Sequence, residues 1–154
     1  MNREKKKQIM ALFILFMFVG SSLAFAIISV TREENKQEVR TVFDRPLENS
    51  EEAPFLQQNY VIVKYFWSEA CADCDLAEQA LNDAKSELKG RLVIEKINVA
   101  EWANYTEDLS VTSVPFFYLK GRTVVTGAFT DSDALVRAVC PLYFYGIEEC
   151  AFLS

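Results

Sequence analysis

The chain has 154 residues, 51% of them hydrophobic, with a formal net charge of −6 and no histidine. That leaves room for one domain of ordinary size with attachments. The absence of histidine excludes Ser-His-Asp and Cys-His catalysis and every His-ligated metal site, and the acidic balance after the N-terminus argues against a nucleic-acid partner.

In chain order, residues 1–8 carry Arg3, Lys5, Lys6 and Lys7 against Glu4 and read as a basic cytoplasmic N-terminus. Residues 9–30, "IMALFILFMFVGSSLAFAIISV", contain no charge. As a helix they would run about 33 Å, enough to cross a hydrocarbon core of about 30 Å. A buried core helix would not stay apolar on every face for so long. The basic cluster ahead of the run predicts a single-pass membrane anchor with everything after Thr31 outside the cytoplasm. A cleaved signal peptide is the rival, because Ala24-Phe25-Ala26 has the small-x-small form. The apolar continuation through Ile27, Ile28 and Val30 favours the uncleaved anchor. Both readings export the rest of the chain to a space that permits disulfides, and Cys71, Cys74, Cys140 and Cys150 all lie in that part.

Residues 31–59 are charged and weakly periodic, as in a solvated stalk or linker, with a possible first strand at Val39–Phe43 and a possible helix at Glu51–Gln58. A domain is expected over 60–140, followed by a tail, 141–154. "YVIVKYFW" has the β-branched and aromatic content of a buried strand. Leu76, Ala77, Ala80, Leu81, Ala84 and Leu88 then recur at helical spacing, and Gly90 is placed to end that helix. "RLVIEKINV" predicts a second strand. Trp102, Tyr105 and Leu109 suggest a short helix or turn. "VPFFYLK" and "TVVTG" predict two strands joined at Gly121-Arg122, and Thr130 can cap a last helix carrying Leu135, Ala138 and Val139. The order predicts an α/β fold, one mixed β-sheet flanked by helices on both faces, preceded by one transmembrane helix.

At the junction of the first strong strand and its helix stands Cys71-Ala72-Asp73-Cys74. Several pieces together resemble the thioredoxin superfamily: "YFWSEACADC", "KINV", "SVTSVPFFYLKG" and "VVTGAF", spanning roughly Tyr60 to Cys140. The resemblance implies a thioredoxin-like three-layer fold, a cis proline at Pro115, and Val114 offering backbone hydrogen bonds to an extended substrate segment. It also implies thiol–disulfide oxidoreductase activity with no cofactor and no metal. The sequence departs from the best-known pattern in three places. Ala70 stands where tryptophan is common, Ala-Asp separates the cysteines in place of Gly-Pro, and Tyr65 occupies the strand position that often holds a buried aspartate. Lys96 matches the lysine that partners that aspartate, so the proton acceptor for Cys74 stays open between Glu95 and water.

The chemistry of the pair follows from its place. A thiolate is the attacking species, and a helix N-terminus favours negative charge, so Cys71 is expected to be the exposed nucleophile and Cys74 the resolving thiol. Asp73, with Glu69, Asp75 and Glu78, opposes the thiolate and leans the pair toward a reducing or moderate potential. Asp73 and Lys96 are therefore the expected redox-tuning residues. Inert thiols, a four-cysteine zinc site and a structural Cys71–Cys74 disulfide are the competing readings. Cys140 and Cys150 are expected as a structural disulfide pinning the tail, with a second redox pair as the alternative. Leu142-Tyr143-Phe144-Tyr145 reads as packing, and Asn104-Tyr105-Thr106 matches an N-glycosylation acceptor.

The sequence thus points to a membrane-anchored oxidoreductase outside the cytoplasm, acting on thiols and disulfides of exported proteins and served by a membrane or extracytoplasmic redox partner. A non-catalytic thioredoxin-like protein-binding module is the alternative from another class, and a metal-binding module a third.

Overall fold

Val61–Trp67, here β2, is the strand about which the fold is organised. The computed structural model describes residues 39–153, so the expected anchor at 9–30 and the basic segment before it lie outside the described residues. Among the described residues no helix is long and apolar enough to cross a membrane. The other strands are β1 (Val42–Phe43), β3 (Leu92–Asn98), β4 (Phe116–Lys120) and β5 (Val124–Gly127). They pair in the order β1-β3-β2-β4-β5. β1 and β2 run parallel to β3, whereas β4 runs antiparallel to β2 and β5 to β4. A central strand with both faces covered must be apolar nearly throughout, and "VIVKYFW" meets that demand at every position except Lys64.

Among the described residues four α-helices cover the sheet: α1 (Asn49–Gln57), α2 (Cys74–Glu87), α3 (Ala103–Asp108) and α4 (Ser132–Val139). Alternation along the strands divides the core. Val61, Val63, Tyr65, Leu92 and Ile94 pack against Ala77, Leu81 and Ala84 of α2, Leu88 just after it, and Leu135, Val136 and Val139 of α4. On the other face Ile62 and Val93 meet Leu47, with Phe55 and Leu56 of α1 packed around them. The result is helix, sheet, helix in three layers.

The structure moves several expected boundaries. In the segment expected as a linker with a possible first strand and helix, the strand is Val42–Phe43 (β1) and the helix Asn49–Gln57 (α1), both part of the domain. Val42 pairs with Ile94, Phe43 with Glu95, and Glu52 of α1 is buried. The charge of "RPLENSEEAP" disguised this, because its acidic residues serve specific partners. Glu51 accepts from the Glu48 N–H and from Arg45, and Glu52 receives lysines from the sheet. Leu76, counted in the apolar stripe, is 54% exposed, because the buried face of α2 runs through Cys74, Ala77, Leu81 and Ala84 and leaves position 76 off it. The last helix is capped by Asp131 and not Thr130: the Asp131 carboxylate accepts from the Ala134 N–H at 2.9 Å. Gly90 does follow α2 with a φ of +74°, a conformation that costs glycine little. The Asn104 triplet lies on α3, where the Thr106 hydroxyl is turned inward and donates to the Ala103 carbonyl at 2.7 Å.

The core also runs past residue 140 into the expected tail. Leu142 and Tyr143 are buried, while Phe144 and Tyr145 are exposed. Cys140 is bonded to Cys150 with a Cα–Cα distance of 5.7 Å. Closing such a loop stabilises by roughly 3 kcal/mol in the chain-entropy model. The Asn59 amide holds the same segment by donating to the Tyr145 carbonyl at 2.9 Å and accepting from the Tyr145 N–H at 3.0 Å. Gly121 lies so close that an added Cβ would sit 2.3 Å from the Leu142 carbonyl oxygen, so only glycine fits there without a shift.

Lys64 points to the α1 face with its side chain 4% exposed. Its ammonium lies 2.5 Å from Glu52 and 2.7 Å from Glu95, and Glu52 also takes Lys120 at 2.5 Å. Burial alone would favour the neutral amine, but Glu95 and Glu52 outweigh it and hold Lys64 above the ordinary lysine range. Burial likewise pushes the Glu95 carboxyl up, against the pull of Lys64 and the Leu47 N–H. Replacing Lys64→Met strands the buried Glu95 carboxylate and leaves Glu52 with Lys120 alone, and should cost about 3–5 kcal/mol. Urea unfolding measures this, and a loss under about 1 kcal/mol would mean that the network behaves like a surface ion pair.

Candidate active site

The cysteine pair sits where β2 ends and α2 begins. After Trp67 the chain turns, with the Cys71 N–H donating to the Ser68 carbonyl at 3.2 Å, and Cys74 is the first residue of α2. Cys71 and Cys74 are joined in a disulfide with a Cα–Cα distance of 5.4 Å. Cys71 is half-buried and Cys74 only 6% exposed. The first sulfur is therefore the accessible one, at the N-terminal end of a fourteen-residue helix whose dipole favours a thiolate. Asp73 is the N-cap residue and exposed, but its side chain makes no capping hydrogen bond. Its charge is thus free to act on the cysteine without a fixed structural duty. Glu69 and Asp75 are exposed beside it.

Strand register brings the proline segment to the same end of the sheet. Phe66 pairs with Phe116, so the residues preceding Phe116 extend beyond the end of β2, on the side of the Cys71 turn. The Val114-Pro115 peptide bond is cis, and both residues are half-buried. The four cysteines fall into two disulfides, and among the described residues no group of three or more metal-ligating side chains gathers.

Lys96 pairs in register with Tyr65 and faces α2, where its ammonium bonds Glu78. Glu95, its neighbour, points to the opposite face, and its Oε2 is taken by Lys64 and the Leu47 N–H while Oε1 is buried without a partner. One of the two proton acceptors considered for Cys74 is thereby removed: β-alternation puts Glu95 across the sheet from the dithiol. Tyr65 takes a different part. It is buried, its ring lies tilted 5.0 Å from that of Phe117, and its hydroxyl donates to the Cys74 carbonyl at 2.8 Å. Burial first, then the charges of Glu78 and Asp75, push the phenol up to about 12, so it stays protonated and a donor. The Tyr65–Cys74 bond and the Glu78–Lys96 pair were missed from sequence. The available signal was the spacing of Glu78, four residues after Cys74 and so on the same helix face.

A cleft of about 360 Å³ opens beside this pair, lined by Asp44, Trp67, Glu78, Lys96, Asn98 and Glu101. A larger one of about 590 Å³, between Arg45, Glu52, Lys64, Tyr105 and Lys120, belongs to the other face of the sheet.

A family model described as thioredoxin matches residues 36–139. Thioredoxin-T of Drosophila melanogaster is 27% identical over 103 residues, covering 54% of this chain and 66% of the relative. A thioredoxin of Rickettsia felis is 27% identical over 64 residues, covering 42% and 61%. The chain therefore spans just under two thirds of the length of these curated relatives. The solved structure of thioredoxin NaTrxh from Nicotiana alata shares the fold, with a TM-score of 0.54 at 21% identity over 67% of this chain and 93% of that one.

Because Asp73 has charge but no capping bond, Asp73→Asn should raise the thiolate fraction of reduced Cys71 about threefold near neutral pH, the effect of one nearby charge in high dielectric. Alkylation rates of the two reduced proteins compare this directly. An unchanged or slower rate would remove Asp73 as a tuning residue.

Proposed function

The chain belongs to the thioredoxin family, and on that premise we propose that it is a membrane-anchored thiol–disulfide oxidoreductase working on exported proteins outside the cytoplasm. The observation that carries the catalytic part is the Cys71–Cys74 disulfide at the head of α2, with one sulfur accessible and the other covered. In the reducing direction the Cys71 thiolate attacks one sulfur of a client disulfide. The client bond breaks, one client sulfur leaves as thiolate, and a mixed disulfide to Cys71 forms. Cys74 then attacks the Cys71 sulfur, releasing the second client thiol and closing the Cys71–Cys74 bond. An extended client segment pairs with the Val114 backbone beside Pro115 while this happens. A membrane or extracytoplasmic redox partner returns the pair to the dithiol. The acidic residues around Cys71 disfavour its thiolate, which supports a reducing lean. The anchoring is supported by the uncharged run at 9–30 and the basic residues before it.

Two measurements test the parts separately. Cys74→Ser should accumulate mixed disulfides with clients, visible on non-reducing gels, whereas Cys71→Ser should trap almost none. Equal trapping by both variants would overturn the roles of nucleophile and resolver, and no trapping by either would favour a binding module without turnover. For topology, protease added to cells stripped of any outer wall should digest the domain. Protection until the membrane is lysed would place it on the cytoplasmic side.

A further inference from the structure

The resolving step needs a place for the Cys74 proton, since only the thiolate attacks. The geometry narrows the choice. Tyr65 is a donor, already committed to the Cys74 carbonyl. Glu95 lies across the sheet in the Lys64 network. Glu78 stands one helical turn beyond Cys74 on the same face of α2, bonded to Lys96, and lines a cleft large enough for several waters. Its carboxylate is 45% exposed and so can exchange protons with solvent. We infer that Glu78, held in place by Lys96, is the proton acceptor for Cys74 in the resolving step, acting through water in this cleft.

The inference rests on the thiol–disulfide reading above and deepens it. The Cys74 thiol passes its proton through water to the Glu78 carboxylate. The thiolate attacks the Cys71 sulfur, the bond from Cys71 to the client breaks, and the departing client thiolate takes the proton back. The client gains two electrons and two protons in all, the other proton coming from solvent. The charged and titratable groups around Glu78 are Lys96 from β3, the neutral Tyr65 phenol from β2, Asp75 on its own helix, and Asp44 and Glu101 lining the same cleft.

A proton acceptor and a mere charge make opposite predictions. Removing a negative charge near Cys74, and freeing Lys96, would favour the thiolate and speed resolution. Removing the acceptor would slow it. The full-length reduced protein is mixed with the chromogenic disulfide dithiobis(nitrobenzoate). The first coloured thiolate appears when Cys71 attacks, the second when Cys74 resolves. A protein with both Cys71→Ser and Cys74→Ser supplies the background from Cys140 and Cys150. In Glu78→Gln the ratio of second to first rate should fall at least about tenfold near neutral pH, a modest share of what a positioned base contributes. The difference should close above about pH 9, where solvent deprotonates the thiol unaided. Glu78→Asp, which keeps a carboxylate, should recover part of the ratio. A ratio that is unchanged or raised in Glu78→Gln overturns the inference. A first release that does not depend on Cys71 would instead sink the oxidoreductase reading itself.

Discussion

A lysine in the middle of the central strand constrains the rest of this fold. Lys64 has nowhere to send its ammonium but the face between α1 and the sheet, so carboxylates have to meet it there. Glu95 comes from the neighbouring strand and Glu52 from α1, and Glu52 then draws in Lys120 from β4. One buried cation thereby ties three strands and a helix together. It also explains why the segment before Tyr60 belongs to the domain. Without α1 in place, a charge in the sheet would lack one of its two partners, and such a charge is tolerated only when paired.

The alternation of β2 keeps this network apart from the chemistry. Lys64 and Tyr65 are adjacent in sequence yet serve opposite faces, one a salt-bridged cation and the other a phenol bonded to the Cys74 carbonyl. β3 repeats the division with Glu95 and Lys96. Each strand thus contributes one charge to structural support and one polar group to the redox face. A tyrosine at position 65 gives that face a donor in place of an acid: it fixes the helix start by a hydrogen bond to the Cys74 carbonyl.

Much of this was legible in the sequence. The strand, the cysteine pair, the helix, Val114-Pro115 and the hairpin stand in an order that few folds share, and each carries its own local signal. The first strand was not clear, because two residues with a charged neighbour give no periodicity, and its pairing with β3 is a long-range contact. Glu52 looked like surface charge because acidic residues usually are, and Glu95 was weighed as the acceptor for Cys74; only the partners on the α1 face reveal where each belongs. Leu76 misled in the other direction, an apolar residue at nearly helical spacing that lies off the buried face. The pairing of Lys96 with Glu78 depends on which face of β3 meets α2, which follows from register and cannot be read from either segment alone.

The two disulfides join cysteines three and ten positions apart. Neither loop encloses the other, and neither crosses it. A chain emerging N-terminus first presents Cys71 and Cys74 together, long before Cys140 appears. Of the three connectivities that four cysteines allow, the native one is therefore available in the order of synthesis, with each cysteine meeting its own partner before a wrong one. Such a chain can be oxidised as it is made without a shuffling enzyme to correct its pairing.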